Sequence, residues 1–326
     1  MKEYNQYFGV FLRKYILLFL ILWGAAVRAE QAPVLSEADL DSDEETLEQS
    51  LIRGNIAISN WFDGIAENID LYLAGKRMTK RKNTTSVRIE NRTSSSEGKA
   101  ITNDIGLNIN LRLPNVEEYW QLKFTTYDEM SEKRGGVQRA VVRPVPRERN
   151  YGATIGVFRK LGNIRTAFQP RVELQDPLRV SHSLSFASVA DMKKYQITPK
   201  LELYAVAEKG TGIFWSLNFD FELNPKQTLT FINDADYVDR QHMESVTNGV
   251  SLSESLTDKA SLAYSLLFFS NNRPSYHLEG YSIVIGWSEL IYKNILDYQL
   301  TPHLDFNRTD SFRGRAGVTL NVNLNF

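Results

Sequence analysis

Histidines, serines and closely spaced carboxylates are the residues of this chain that could carry acid–base or nucleophilic chemistry. His182 lies between Ser181 and Ser183, whereas His303 and Asp305 are two positions apart. A serine–histidine dyad on a β-strand needs both side chains on one face, and adjacent residues of a strand point to opposite faces. The spacing around His182 therefore excludes such a dyad, while His303 and Asp305 can share a face.

Two aspartates, Asp234 and Asp236, form a second pair at the same spacing. Together with His303 and Asp305 they could activate a water molecule, provided that the fold brings both pairs within hydrogen-bonding reach of it. The chain has no cysteine, no glycine-rich phosphate loop and no metal-ligand spacing. We therefore expect neither a cofactor nor a metal site, and the elements that carry the two pairs decide whether they can act together.

The charge balance excludes another class of function. The 38 Lys and Arg residues nearly match the 39 Asp and Glu residues, and the isoelectric point is about 6.5. Nucleic-acid-binding proteins need a basic excess to neutralise phosphates, so we expect no nucleic-acid partner. The mean hydropathy of -0.33 does not exclude a membrane barrel, because strands with alternating polar and apolar residues average to similar values.

The N-terminal residues predict export. Lys2, Arg13 and Lys14 precede a short apolar run over 16–27, which ends in small residues before Glu30. This run is too short to span a bilayer, so residues 1–29 are interpreted as a secretory signal peptide, with a membrane anchor as the alternative. Residues 30–58 are then an acidic, flexible leader, in which a short helix could follow Ser42 and end at Gly54.

A helical pattern follows in residues 59–83. Trp61, Ile65 and Ile69 recur at helical spacing up to Gly75, with Asp70 off this apolar stripe, and a basic linker begins at Lys76. The pattern predicts an amphipathic helix over 60–74. Two interpretations remain open: a helix on a membrane surface or in a pore, or a helix packed on its own domain.

From residue 84 to residue 326 the periodicity changes from 3.6 to 2. In the last segment the apolar side chains fall on one face and arginine, glycine, threonine and asparagine on the other, and the segment ends on Phe326. This ending resembles the C-terminal assembly signal of bacterial outer-membrane β-barrels. The resemblance implies insertion into a Gram-negative outer membrane by the barrel assembly machinery and contact with its lipids.

Fourteen such segments can be placed, which predicts an all-β fold: a closed antiparallel up-and-down transmembrane barrel. Twelve strands are the alternative, in which the first and fourth segments are not strands. The predicted strands are 84–92, 100–113, 118–127, 151–161, 164–174, 179–190, 195–207, 212–223, 227–238, 244–256, 260–270, 277–288, 295–306 and 314–326.

The polar phase of these strands predicts the residues that line the lumen and could bind a solute. Basic residues fall on strands one to five and acidic residues on strands eight, nine and thirteen, so opposite charges occupy different arcs of the wall. The candidates are Arg88, Arg92, Arg112, Lys123, Arg165, Arg171, Asp220, Glu222, Asp234, Asp236, His303 and Asp305. The charges could also pair with one another, or with residues 60–82, and fill the barrel.

The barrel separates the two candidate catalytic pairs. Strands nine and thirteen are four steps apart, a chord of roughly 22 Å that side chains cannot bridge around one water molecule. No enzymatic activity is therefore expected. The single long connection, residues 128–150, folds inward as a constriction, contacts lipid phosphates, or is a solvated loop.

The leading functional hypothesis is a passive channel for small hydrophilic solutes, with a bias toward anions from the arginine arc. The alternative is a non-conducting structural or adaptor barrel whose residues 30–82 plug the lumen or dock a periplasmic partner.

Overall fold

The computed structural model describes residues 47–74, 85–112, 120–134, 150–207, 209–292 and 294–326. The predicted signal peptide over 1–29, the leader up to residue 46 and the basic linker over 76–82 lie outside these ranges. The chain divides into two compact units, residues 1–58 and residues 59–326, and the second contains all of the strands.

A single helix, α1 (Leu47–Ala74), replaces the two predicted helical pieces. The prediction that a helix ends at Gly54 is wrong; an interior glycine costs only about 1 kcal/mol, which the residues on either side offset. Within α1, Ala66 and Asp70 lie one turn apart and are buried, whereas Trp61 is 62% exposed. Among the side chains of α1 that the structure describes, the two buried ones therefore lie off the predicted apolar stripe. Among the described residues, no helix is both long and apolar enough to cross a bilayer.

Fourteen strands follow in the described part of the chain, and their bounds lie within a few residues of the predicted ones. They are β1 (Ser86–Ser96), β2 (Thr102–Arg112), β3 (Trp120–Thr125), β4 (Gly152–Leu161), β5 (Ile164–Glu173), β6 (Arg179–Ser188), β7 (Tyr195–Val206), β8 (Gly210–Asn224), β9 (Gln227–Val238), β10 (Met243–Ser255), β11 (Ala260–Asn271), β12 (His277–Tyr292), β13 (Leu296–Asn307) and β14 (Gly314–Asn325). A two-residue bridge, Ala190–Asp191, also pairs with β7.

The strands form a closed antiparallel ring. Each strand pairs with its neighbour in sequence, and β1 pairs with β14 from Arg88 opposite Asn325 to Ser96 opposite Gly317. The first and fourth segments, the reason for considering twelve strands, are both members of the ring. The predicted fourteen-stranded barrel is confirmed, since each of the described strands pairs with a neighbour on both sides.

The barrel surface is the inverse of a water-soluble protein. Large apolar side chains point outward and are exposed, such as Trp215 at 45% and Ile283 at 46%, whereas Arg171 and Ser181 point inward and are each 1% exposed. An exposed apolar belt of this extent is stable only against hydrocarbon, so the outer face is the lipid-facing one.

The two ends of the barrel differ. At one end, called here the turn end, β4–β5 and β8–β9 are joined by two residues each. At the other, the loop end, β3 and β4 are separated by residues 126–151, which contain the short helix α2 (Glu129–Lys133). In barrels of bacterial outer membranes the short turns are periplasmic and the long loops extracellular.

Candidate functional site

The strand pairing places all twelve predicted lumen residues at inward-facing positions. On the basic side, Lys123 lies opposite Thr154 and Thr154 opposite Arg171. On the acidic side, Asp236 lies opposite Phe214, and Asp305 lies opposite Ser282. Because the ring follows the chain order, β1 to β5 form the basic arc and β8, β9 and β13 carry the acidic residues.

These twelve residues are not equally accessible. Arg112, Arg165 and Glu222 are exposed toward the turn end. Four others are at most 6% exposed: Arg92, Arg171, Asp234 and His303. Their burial means that part of the lumen wall is covered.

The described start of the long connection, residues 126–134, covers that wall and is called here the inward segment. Tyr127 is 5% exposed, and its hydroxyl lies 3.4 Å from Oε2 of Glu90 on β1. Glu129 accepts a hydrogen bond from Lys123 Nζ at 3.4 Å. The connection thus begins by folding into the barrel, the first of the three alternatives for residues 128–150; residues 135–149 lie outside the described ranges.

The far end of the inward segment is anchored on β7. Arg134 Nε donates to Glu202 Oε1 at 3.2 Å, and its guanidinium lies 3.5 Å from the ring centre of Tyr204. Lys200 Nζ contacts the other carboxylate oxygen of Glu202 at 2.9 Å, and the Tyr204 hydroxyl donates to Asp236 at 2.6 Å. Both groups of the Arg134–Glu202 pair are nearly buried, so this anchor is a desolvated ion pair with a cation–π contact.

The near end of the segment is held by Arg171. Its guanidinium donates to Thr125 Oγ1 at 2.6 Å at the end of β3, and to the Asn150 carbonyl oxygen at 2.7 Å just before β4. A Cβ at position 152 would lie 2.6 Å from this guanidinium, so Gly152 provides the space for it. A single planar donor group thus ties together both roots of the connection, a task that suits arginine better than lysine.

The opposite wall is covered in another way. Ile232, Leu267 and Val284 point inward from β9, β11 and β12 and are at most 4% exposed, with Phe269 packed against them. They form the inner apolar cluster. Gly249 on β10 leaves room for it, since a Cβ there would lie 2.5 Å from Leu267 Cδ2. The lumen face is therefore not polar throughout, which corrects the expectation from the alternating pattern.

The histidine–aspartate pair lies beside this cluster on β13. His303 Nε2 is 3.7 Å from Asp305 Oδ2, its Nδ1 is 3.2 Å from the Thr301 carbonyl oxygen, and Ser282 donates to Asp305. Asp236 is on β9, four strands away, and accepts the Tyr204 hydroxyl. The two pairs serve separate hydrogen-bond networks rather than one water molecule.

The serine–histidine spacing gives the expected geometry. Ser181 and Ser183 are buried on the inward face, and His182 is exposed on the lipid-facing side. Within the described ranges, no group of three or more histidine and acidic residues could hold a metal ion.

Sequence reasoning missed the residues that anchor the inward segment. Lys200, Glu202 and Tyr204 occupy inward positions of β7, and the alternation of that predicted strand was a signal that could have found them. Arg134 had no such signal, because it belongs to a connection without periodicity.

Comparisons with known proteins show distant similarities. No family model matches the chain, and no curated protein matches it. Among solved structures, the outer-membrane protein OmpT of Vibrio cholerae with loop L8 deleted is 8% identical, covering 75% of this chain and 99% of that one, with a TM-score of 0.44. The outer-membrane channel DcaP of Acinetobacter baumannii is 8% identical, covering 75% and 97%, with a TM-score of 0.45.

A further solved structure, the KdgM porin in complex with disordered oligogalacturonate, is 7% identical and covers 73% of this chain and 99% of its own, with a TM-score of 0.38. The chain's own strand pairing and inverted surface identify it as a closed, fourteen-stranded β-barrel of the outer-membrane type, without assigning it to a family.

Proposed function

We propose that the protein is a passive channel for small hydrophilic solutes in the outer membrane, with a preference for anions. The observation that carries the proposal is the closed ring with a largely polar inner face and charged residues exposed toward the turn end. Fourteen strands enclose a radius of roughly 14 Å at the backbone, which leaves room for water beside the inward segment.

The anion preference rests on the balance of exposed charge among the described lumen candidates at the turn end, where Arg112 and Arg165 outnumber Glu222. Arg112 and Arg165 are exposed on the inner face, whereas the deeper cations Lys123 and Arg134 are each paired with a carboxylate. Exposed cations on a low-dielectric wall raise the local concentration of anions.

The test is a planar-bilayer recording of the purified full-length protein in a KCl gradient. We expect steady conductance and a reversal potential of the sign for chloride selectivity, and the double variant Arg112→Gln/Arg165→Gln should move it toward zero. Absence of conductance, both in the full-length protein and after removal of residues 30–82, would remove the proposal. Conductance with no anion preference would remove only its finer part.

A non-conducting structural or adaptor barrel is the second candidate. The burial of the inward segment and of the inner apolar cluster supports it, because both occupy space inside the ring. A partner retained by residues 30–82 in a pull-down, together with absent conductance, would favour this candidate. We also propose that the protein is not an enzyme; the variant Asp234→Ala/His303→Ala should leave channel properties unchanged apart from stability.

A further inference from the structure

A row of inward-facing positions crosses four adjacent strands near the turn end. Lys160 on β4 lies opposite Arg165 on β5, Arg165 opposite Ala187 on β6, and Ala187 opposite Lys200 on β7. These positions, three of them cationic, are called here the basic row. Because they are joined by strand register, their side chains emerge side by side from one wall.

The basic row has more positive than negative charge around it. Lys200 is paired with Glu202, but that carboxylate also accepts the hydrogen bond from Arg134, so one anion serves two cations. Lys160 and Arg165 are both exposed, and within the described ranges neither has a hydrogen-bonded or ion-paired side-chain partner. Like charges directly opposite each other on neighbouring strands repel. An anion bound between Lys160 and Arg165 would therefore reduce this electrostatic repulsion.

The next inward row toward the loop end provides space above these cations. Phe158 lies opposite Ala167, Ala167 opposite Ser185, and Ser185 opposite Glu202. The two central side chains are small, and beyond Glu202 the ring of Phe214 lies 5.0 Å from Lys200 Nζ. The wall therefore has a depression at Ala167 and Ser185, with an aromatic residue, Phe158 or Phe214, on each side.

The spacing limits the size of what can bind. Lys160 and Lys200 are three strand spacings apart, about 14 Å along the wall, which their long side chains shorten considerably. A monovalent ion would meet one or two of the cations, whereas a compact molecule with two or three anionic groups would meet all three. Asp220, on β8 next to the strand of Lys200, accepts a hydrogen bond from Thr230 and would repel a long polyanion that continues along the wall past Lys200.

We infer that the basic row binds a compact multivalent anion, with carboxylate or phosphate groups, at the turn end of the lumen. The inference rests on the proposed function in one respect, that solutes reach the lumen. It goes beyond a general anion preference, because it assigns a saturable site to Lys160, Arg165 and Lys200.

Calorimetric titration of the purified full-length protein in detergent, at fixed ionic strength, tests the site. Tripolyphosphate and citrate serve as the probes, since they present phosphate and carboxylate groups respectively. We expect saturable binding of at least one probe, weakened about tenfold by Lys160→Gln or by Arg165→Gln, as the loss of one charge-assisted contact predicts.

Arg159→Gln is the matched control. Arg159 precedes Lys160 on the same strand, is also exposed, and lies on the lipid-facing side. The substitution Arg159→Gln removes the same charge as Lys160→Gln. Because Arg159 does not face the lumen, we expect the affinity for the probes to stay unchanged. Equal affinity in wild type, Lys160→Gln and Arg165→Gln would overturn the inference, and so would equal weakening by Arg159→Gln, which would indicate non-specific attraction.

The titration does not require conductance. Saturable binding that depends on Lys160 and Arg165 in a protein without conductance would remove the channel and keep the site. Conductance without any saturable binding of either probe would keep the channel and remove the site.

Discussion

The two sides of the lumen are filled by different physical means. On the wall formed by β3 to β7, the inward segment is held by Arg171 at its root and by Arg134 at its far end, through charged hydrogen bonds. On the wall formed by β9 to β12, Ile232, Leu267 and Val284 pack against one another. Buried charges require partners at fixed positions, whereas apolar side chains require only contact. The first wall therefore depends on a specific geometry, and the second tolerates changes in the arrangement of its side chains.

This difference implies distinct responses to substitution. Loss of a charged partner on the β3–β7 wall should release the inward segment. The conductance of the pore and the stability of the protein should then both change. Loss of an apolar side chain on the β9–β12 wall should lower stability and leave the pore size nearly unchanged.

The largest effect is expected for Arg171→Met, which keeps much of the side-chain volume and removes every hydrogen bond of the guanidinium. The free energy of unfolding should fall by roughly 3–5 kcal/mol, because the contacts to Thr125 and Asn150 are lost together. Urea unfolding of the protein in lipid vesicles measures this change in the free energy of unfolding. Arg165→Met, at an exposed inward position of the same strand, is the control and should cost less than about 0.5 kcal/mol. Equal stability of the two variants would contradict the inference that Arg171 ties together both roots of the long connection.

Leu267→Ala should lower the free energy of unfolding by about 2–4 kcal/mol, since it opens a cavity in the inner apolar cluster. The same urea titration measures the loss. Single-channel conductance should stay close to that of wild type. Leu266→Ala, on the lipid-facing side of the same strand, is the neighbouring control with a smaller expected loss. A conductance change as large as that of Arg134→Ala would break the distinction between the two walls.

Arg134→Ala should raise conductance and its fluctuations, because the far end of the inward segment loses its ion pair and its contact with Tyr204. The expected stability loss is about 1–3 kcal/mol, since Lys200 still neutralises Glu202. Glu202→Gln should give a conductance change in the same direction, since it weakens the same anchor. If both variants conduct exactly as wild type does, the segment is held by other contacts.

The smallest effect is expected for Tyr204→Phe, which retains the ring beneath Arg134 and removes only the hydrogen bond to Asp236. Stability should fall by about 1 kcal/mol and conductance should not change. Tyr195→Phe, in the same strand, provides a comparison. A large conductance change in Tyr204→Phe would mean that the link to β9, rather than the ion pair, holds the segment in place.

Much of the barrel could be predicted from the sequence because a two-residue period has a direct physical cause. In β14, the alternation ending at Phe326 assigns each side chain to either the inner or the outer face of the barrel. When β1 pairs with β14, inward residues lie opposite inward residues, as the alternation predicts. A shift of one residue in either strand would turn polar side chains such as Arg88 or Asn325 toward lipid, so the polar phase excludes register shifts by an odd number of residues.

The parts that could not be predicted depend on tertiary contacts without a period. Residues 126–134 lack alternation, and only the fold brings Arg134 to Glu202 on a strand four places away. Ile232 and Val284 were visible as apolar residues in a polar phase, but nothing local shows that they meet across β10 and β11. In α1, Asp70 is buried although its position on the helix predicted exposure.

The seam between β1 and β14 has a kinetic consequence. Arg88 donates to Asn325 across it, and these residues are 237 positions apart in the chain. Every other strand pair in the ring joins strands that are neighbours in the sequence. Formation of the β1–β14 pair therefore has the largest loop-closure entropy cost. Until it forms, two strand edges face outward, and we expect the nascent protein to need a chaperone that shields both of them while the seam remains open.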